Sequence, residues 1–307
     1  MSRLSNISSN PTLQTFAQGA AQSSVKMVAG FLAPTAPVPV ATGRFKKYTD
    51  KNRYRVPNTR RTLNGRATRI GFDATDALYN CAPNALDFPI DNLESLTDAQ
   101  LMNMARYGAT LLADAASLAH EVEVIDAAVA ALTGGGVNIN FADDAVDPVK
   151  EIDAIIKAVI LAAKNGAPVK VLIGAGAWLA IKNNAKVKAR VVAGKQGGLV
   201  NVSLEEFASL LFGNPQVQLT TVVKDIAAEG LAENMAFVLD LKVIVFASND
   251  TPNTMDPSFM KTFRLDGQWM VPGSYVAEDG RGEVLKMDWS EEIQITNAAA
   301  AKLINVQ

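Results

Sequence analysis

His120 and Cys81 are the sole histidine and the sole cysteine of this sequence, so any reaction pairing a nucleophile with an imidazole base would have to recruit His120. Such chemistry needs the base within hydrogen-bond reach of the attacking atom. No Gly-x-Ser-x-Gly elbow accompanies His120, and no Lys, Arg or His stands close enough to Cys81 in sequence to depress its thiol pKa. Gly174-Ala175-Gly176 follows an apolar run and precedes a helical pattern, as a dinucleotide-binding loop does. Leu179, however, replaces the third glycine, and Lys195 and Gln196 stand where the ribose-binding acid belongs, about 20 residues on. No Gly-x-x-x-x-Gly-Lys-Ser/Thr loop occurs. Asp143, Asp144 and Asp147 place three carboxylates over five residues, a spacing that can converge on calcium, but they read more simply as solvated loop acids beside a helix start. The expectation is a chain that is not an enzyme, with no catalytic residue, cofactor or metal site and with Cys81 inert.

The elements that hold these groups are legible from periodicity. Thr97 with Gln100 forms a capping box ahead of apolar or small residues at Leu101, Met104, Gly108, Leu111, Ala115, Leu118, Val122, Ile125, Val129 and Leu132, and Thr133-Gly134-Gly135-Gly136 ends the run. This predicts a helix over 97–132, about 54 Å long. Gly108 and Ala115 are poor coiled-coil knobs and suit a closely packed sheet or a second helix. On this stripe His120 falls opposite the seam, at the surface. Asp147 and Pro148 open a second helix that closes at Gly166, followed by a strand over 169–173. A short helix near 175–184, the charged segment Lys186–Arg190 and a capped helix over 203–212 come next. Strands are expected over 216–223 and 236–247, the second nearly all apolar and so central. Residues 259–295 alternate and turn often, and 297–305 reads as a terminal helix. The fold class is α+β.

The charge distribution singles out a different stretch. From Arg44 to Arg69 there are ten Lys/Arg against Asp50 alone, a formal +9, which leaves 19 basic and 30 acidic residues, or −11, in the remainder. Apolar and polar residues alternate at Arg53–Val56 and at Arg69–Thr75, and Pro57, Asn58 and Asn64-Gly65 lie between them. Residues 41–92 therefore read as an extended basic hairpin. An isolated two-stranded ribbon is marginal in water, so it needs a surface to lie on. It can be a solvated hairpin, a nucleic-acid-binding ribbon, or an arm reaching onto another subunit. Residues 1–40, rich in Ser, Asn, Ala, Gln and Gly, read as an arm that either docks through Leu4, Leu13, Phe16 and Phe31 or remains a tail.

Composition narrows the class. A hydrophobic content of 49% supports a sizeable core, and a net charge of −2 argues against a dedicated nucleic-acid binder. One cysteine permits no intrachain disulfide, so a reducing compartment is expected. No apolar run reaches the ~18 residues of a membrane span, and no signal peptide or anchor is expected.

The order of these segments resembles a known pattern. The run YRVPNTRRTLNGRATRIGFDATDALYNCAPNALDFPIDNLE leads into the long helix, and DAIIKAVI, VKVLIGAGAWLAIKNNAKVKAR, SLEEFASLLFG and VQLTTVV follow in that order. Across residues 30–305 the chain resembles a tailed-phage major capsid protein of the Hong Kong 97 type.

That resemblance implies an N-terminal arm (1–40), an extended loop lying over the next subunit (41–92), and a peripheral domain with a spine helix (93–215). It further implies an axial domain (216–290) and a C-terminal segment returning to the peripheral domain (291–307). The implied function is a major capsid protein, a structural protein of the virion assembled in the host cytoplasm. It would build an icosahedral shell from pentamers and hexamers around non-specifically packaged double-stranded DNA. Copies of itself, portal, scaffolding and cement proteins are the implied partners, and no membrane is. Arg53, Arg55, Arg60, Arg61, Arg66 and Arg69 are the expected inter-subunit contacts, facing carboxylates of a neighbour. No charged helical scaffolding prefix is seen, and the lysine–asparagine cross-link of some relatives is left unassigned. A bacterial nanocompartment shell is the nearest alternative. A soluble α/β enzyme using the acids at 143–147 and a nucleic-acid module using 44–69 remain as other classes.

Overall fold

The computed structural model describes residues 27–49, 56–70, 73–91, 97–164, 167–193, 201–228, 230–254 and 256–307. Two five-stranded sheets share one long helix. In the first sheet β13 (Gly282–Ile295) is the spine. β4 (Ala82–Asp91) pairs antiparallel along its first ten residues, and β12 (Val271–Val276) and β11 (Met260–Leu265) follow one another on its other side. β1 (Thr35–Val38) adds in parallel to β11. The second sheet runs β5 (Val137–Ile139), β14 (Ala301–Val306), β10 (Lys242–Ala247), β6 (Val169–Ile173), β7 (Gln216–Leu219). β10 is central and buried, which is why KVIVFA is a continuous apolar run rather than an alternating one.

The long helix α2 spans Asp98–Leu132, with the Thr97–Gln100 capping box formed. Its first half contributes Ala105, Ala109, Leu112, Ala113 and Ala116 to the core under the first sheet, and its second half contributes Val124, Ile125, Ala128 and Leu132 to the core of the second. The buried stripe therefore runs through alanines, one position off the leucine-based seam expected from sequence, and Leu111 is exposed. Small side chains let the helix lie close to the sheet. A Cβ on Gly108 would meet Phe88 Cδ1 at 2.6 Å.

Around the second sheet pack α3 (Pro148–Ala162), α4 (Ala175–Asn183), α5 (Ala185–Ala193) and α6 (Leu204–Leu210), so the charged segment at 186–190 is helical. A ribbon of β8 (Val223–Asp225) and β9 (Met235–Phe237) pairs with no other strand among the described residues. The expected C-terminal helix is instead a 3-10 turn and β14, because Leu303, Ile304 and Val306 fill the core beside β10.

Sheet pairing cuts across the segment boundaries expected from sequence. β4, expected in the arm, pairs with β13, whereas β6, expected with the spine helix, shares its sheet with β10 and β14. The crossover between sheets, residues 248–258, is pinned by Lys261. Its buried Nζ donates to the carbonyls of Asn253 (2.8 Å) and Asp256. Burial pushes this ammonium from 10.5 down to about 8, against the opposing pull of Asp256. Between those values the unfolded chain holds a proton that the folded chain has released, so stability should rise with pH across about 8 to 10.5 and be level below. Melting temperatures over that range should show the rise, and Lys261→Met should flatten it.

Candidate assembly surface

The basic hairpin exists, but its strands lie lower on the arm than the alternation at Arg53–Val56 and Arg69–Thr75 predicts. β2 (Thr42–Thr49) pairs antiparallel with β3 (Asp73–Asn80), and residues 56–70 carry no strand. Val56 (93% exposed) and Leu63 (96%) show why, since no sheet face receives them. Pairing starts only where Phe45 and Tyr79 find something to bury against. Arg53 and Arg55 lie outside the described residues. Arg60, Arg61, Arg66 and Arg69 are all exposed, and among the described residues none of them makes an ion pair.

The tip is nonetheless folded locally. Gly65 N–H donates to Thr62 O (2.9 Å), Arg60 N–H to Asn58 Oδ1 (3.1 Å) and Thr68 Oγ1 to Asn58 O (3.0 Å), while Asn64 takes the left-handed conformation with φ 62°. Asparagine tolerates that region, which is what the Asn64-Gly65 dipeptide signalled. The result is a shaped loop presenting four guanidinium groups and the apolar side chains Val56, Leu63 and Ile70.

At its base the arm is fastened by an aromatic cluster. Phe263 on β11 lies 5.0 Å from the ring of Phe45 and 5.1 Å, stacked, from that of Tyr79, with Ala36, Val38 and Cys81 completing the cluster. Opposite Tyr79 on β2 is Gly43, where a Cβ would meet the phenol oxygen at 2.4 Å, so only glycine lets the ring lie flat across the strand. Cys81 is buried beneath, its Sγ 3.5 Å from Phe263 O, and burial followed by Glu292 pushes its thiol up, which makes it a poor nucleophile. None of Phe45, Tyr79 and Phe263 was singled out by sequence reasoning, and Gly43 two residues before an aromatic was the available signal.

His120 corrects the sequence expectation most clearly. It is not a surface residue: the true stripe, Ala116, His120, Val124, turns it inward. Nδ1 lies 3.0 Å from Glu291 Oε1, with the imidazole edge-on to Trp269. Arg264 holds the other oxygen of Glu291 through Nη2 (2.8 Å) and Nε (3.2 Å) and lies 3.4 Å over the Trp269 ring. Burial alone would push the Glu291 carboxyl up, but His120 and Arg264 together outweigh it and hold it below the ordinary value. This is a buried ionic joint between α2 and the first sheet, with no substrate cavity attached. His120→Ala leaves half of Glu291 without a partner and should cost about 1–3 kcal/mol in unfolding experiments, with the far-ultraviolet circular dichroism unchanged.

One residue on, Glu121 is fully buried and accepts from Val28 N (3.0 Å) and Ala29 N (2.6 Å) at the start of α1 (Ala29–Leu32). Burial pushes this carboxyl up, and the two backbone donors oppose it. Phe31 then packs edge-on to Phe246 and over Lys170, so the N-terminal segment is locked into the second core. A charge on the apolar face of a helix was the signal for Glu121.

The remaining chemical candidates are accounted for by the protein itself. Asp240 occupies the mouth of the Gly174-Ala175-Gly176 loop: Oδ1 accepts from Gly176 N (2.8 Å) and its carbonyl from Ala177 N (3.1 Å). A Cβ on Gly174 would meet Asp240 O at 2.2 Å. A phosphate has no room there, and Gly174→Ala should lower stability by about 1–3 kcal/mol through backbone displacement. Asp143 and Asp144 accept backbone N–H groups of Ala145 and Ala185, and Asp147 caps α3 at Lys150 and pairs with Arg190. They are structural caps rather than a solvated acid patch, and among the described residues no His/Cys/Asp/Glu group is arranged to hold a metal. Among those residues no helix is long and apolar enough to cross a membrane.

No protein-family model and no curated protein sequence matches the chain. Solved structures match it in fold. A phage-related protein from Bordetella bronchiseptica superposes with a TM-score of 0.72 at 19% identity, over 96% of each chain. The capsid of cyanophage P-SCSP1u gives 0.56 at 12% identity, over 92% of this chain and 89% of that one. The encapsulin complex from Synechococcus elongatus gives 0.53 at 9%, over 91% and 86%. At these identities the likeness establishes architecture: two sheets bridged by one long helix, with a projecting basic arm, make this chain a bearer of the Hong Kong 97-type capsid fold.

Proposed function

We propose that this chain is the subunit of a closed protein shell, assembling through pentamers and hexamers into an icosahedral capsid around double-stranded DNA. The observation that carries the reading is the arm, fastened at its base by Phe45, Tyr79 and Phe263 yet presenting unpaired arginines and bare apolar side chains at its tip. A monomer gains nothing from such a tip. A neighbour carrying −11 outside the arm does, since like charges on a narrow loop are relieved by an acidic surface. Arg60, Arg61, Arg66 and Arg69, with Arg53 and Arg55 beyond the described residues, are the proposed inter-subunit contacts. In this reading the first sheet with α2 is the peripheral domain and the second sheet with α3–α6 the axial domain. The exposed apolar residues of the β8–β9 ribbon, Ile226, Leu231 and Met235, suit a second contact between copies.

The encapsulin likeness supports a second reading, a nanocompartment shell. The contents of purified particles separate the two: packaged genomic DNA supports the capsid, and a co-purifying enzyme in place of nucleic acid supports the compartment. Portal, scaffolding and cement proteins belong to the first reading, which places the chain in a virion assembled in the host cytoplasm.

A further inference from the structure

The free edges of the two sheets are treated differently. Each outer strand of the first sheet carries proline, Pro37 in β1, Pro83 and Pro89 in β4 and Pro272 in β12, which removes donors and blocks the addition of a further strand. β7, the outer strand of the second sheet, has none. Among the described residues it pairs only with β6. Thr220 N–H donates to Ile173 O across that ladder (3.0 Å), so by strand alternation Gln216 and Gln218 turn their backbone groups to β6, while Val217 and Leu219 turn theirs outward. Along this edge runs a groove of about 570 Å³ between β7 and α6, lined by Leu204 and Ala208 and by the polar Ser209, Asn214, Gln216 and Gln218.

We propose that this edge receives an extended stretch of residues 12–26 from a second copy of the chain, added as a further strand. Three observations select that occupant. Residues 12–26 lack proline and acid and are rich in Ser, Thr, Gln and Ala, which suits a groove of amide and hydroxyl side chains with a small apolar floor. The 26 residues before Met27 reach up to about 85 Å when extended, enough to cross to a neighbour. The described chain runs from Glu121 at Val28 toward β6 and β10 at Phe31, so reaching its own β7 would require the preceding residues to double back. Backbone pairing supplies the affinity and the groove the specificity, as in other strand additions. The inference rests on the shell reading and names one of its contacts.

The test uses the full chain with Gln14→Cys and Gln218→Cys, the native Cys81 being buried. Particles oxidised with copper phenanthroline and run on a denaturing, non-reducing gel should give a ladder of linked subunits, with neither single variant giving one. Amides of Val217 and Leu219 should exchange at least ten-fold more slowly in particles than in dissociated subunits. A fast-migrating monomer closed on itself overturns the second-copy assignment. Dimers from Gln218→Cys alone indicate edge-to-edge pairing of two β7 strands and overturn the occupant. Intact particles with neither ladder nor slowed exchange overturn the docking alone, whereas failure of the unmodified chain to form particles sinks the shell reading and this contact together.

Discussion

Phe263→Ala should lower stability by about 3–5 kcal/mol in denaturant unfolding, the largest loss expected from any single change described above. Phe263 is fully buried and is the only ring in contact with both strands of the arm base, Phe45 on β2 and Tyr79 on β3. Removing it opens a cavity in a cluster of six buried residues that has little material with which to collapse. Beyond the global loss, the arm should become selectively mobile, with amides of β2 and β3 exchanging faster than those of β10. Phe263→Leu, which keeps most of the volume, should cost less and retain the difference between arm and core. An alanine variant with wild-type stability and unchanged exchange in β2 and β3 would show that the arm is held by something else.

Changing Arg60, Arg61 and Arg66 together to Gln should greatly reduce shell formation while leaving the subunit's circular dichroism and melting temperature near wild type. The expectation follows from exposure: these side chains contact nothing that stabilises the isolated fold. Each exposed ion pair is worth little, but several per interface repeated around a shell add up. The residual assembly should also respond less to salt, because the screened contribution has been removed. Normal shells with altered packaged DNA would place the arm against the genome instead and end the inter-subunit assignment.

What was legible in the sequence follows the range of the forces involved. The capping box at Thr97–Gln100, the Asp147 N-cap and the Ser203–Glu206 box are local hydrogen bonds, and all three formed where the residues indicated. The apolar run at 242–247 announced a central strand because burial on both faces leaves no polar position. His120 was misread because large leucines were taken to mark the buried face of α2. Close packing under a sheet selects alanines, and the leucines sit at its flanks. The arm's strands were placed too near the tip, since alternation reports a half-buried ribbon only where a surface exists to bury it, and that surface, Phe263, is almost 200 residues away in sequence. Residues 301–306 have helix-forming neighbours but are taken into β14 by the tertiary demand of β10 for an antiparallel partner. The regrouping of segments between the two sheets has the same origin: strand partners are chosen by long-range pairing, of which single-sequence patterns carry no record.

The central claim is that this chain is built to assemble. Sedimentation velocity of the expressed full-length protein, with negative-stain microscopy of the fastest fraction across protein and salt concentration, tests it directly. The account predicts rings of five and six and closed particles sedimenting far ahead of a 32.6 kDa subunit. A single compact species of subunit mass under every condition, including with a scaffolding protein supplied, would contradict it.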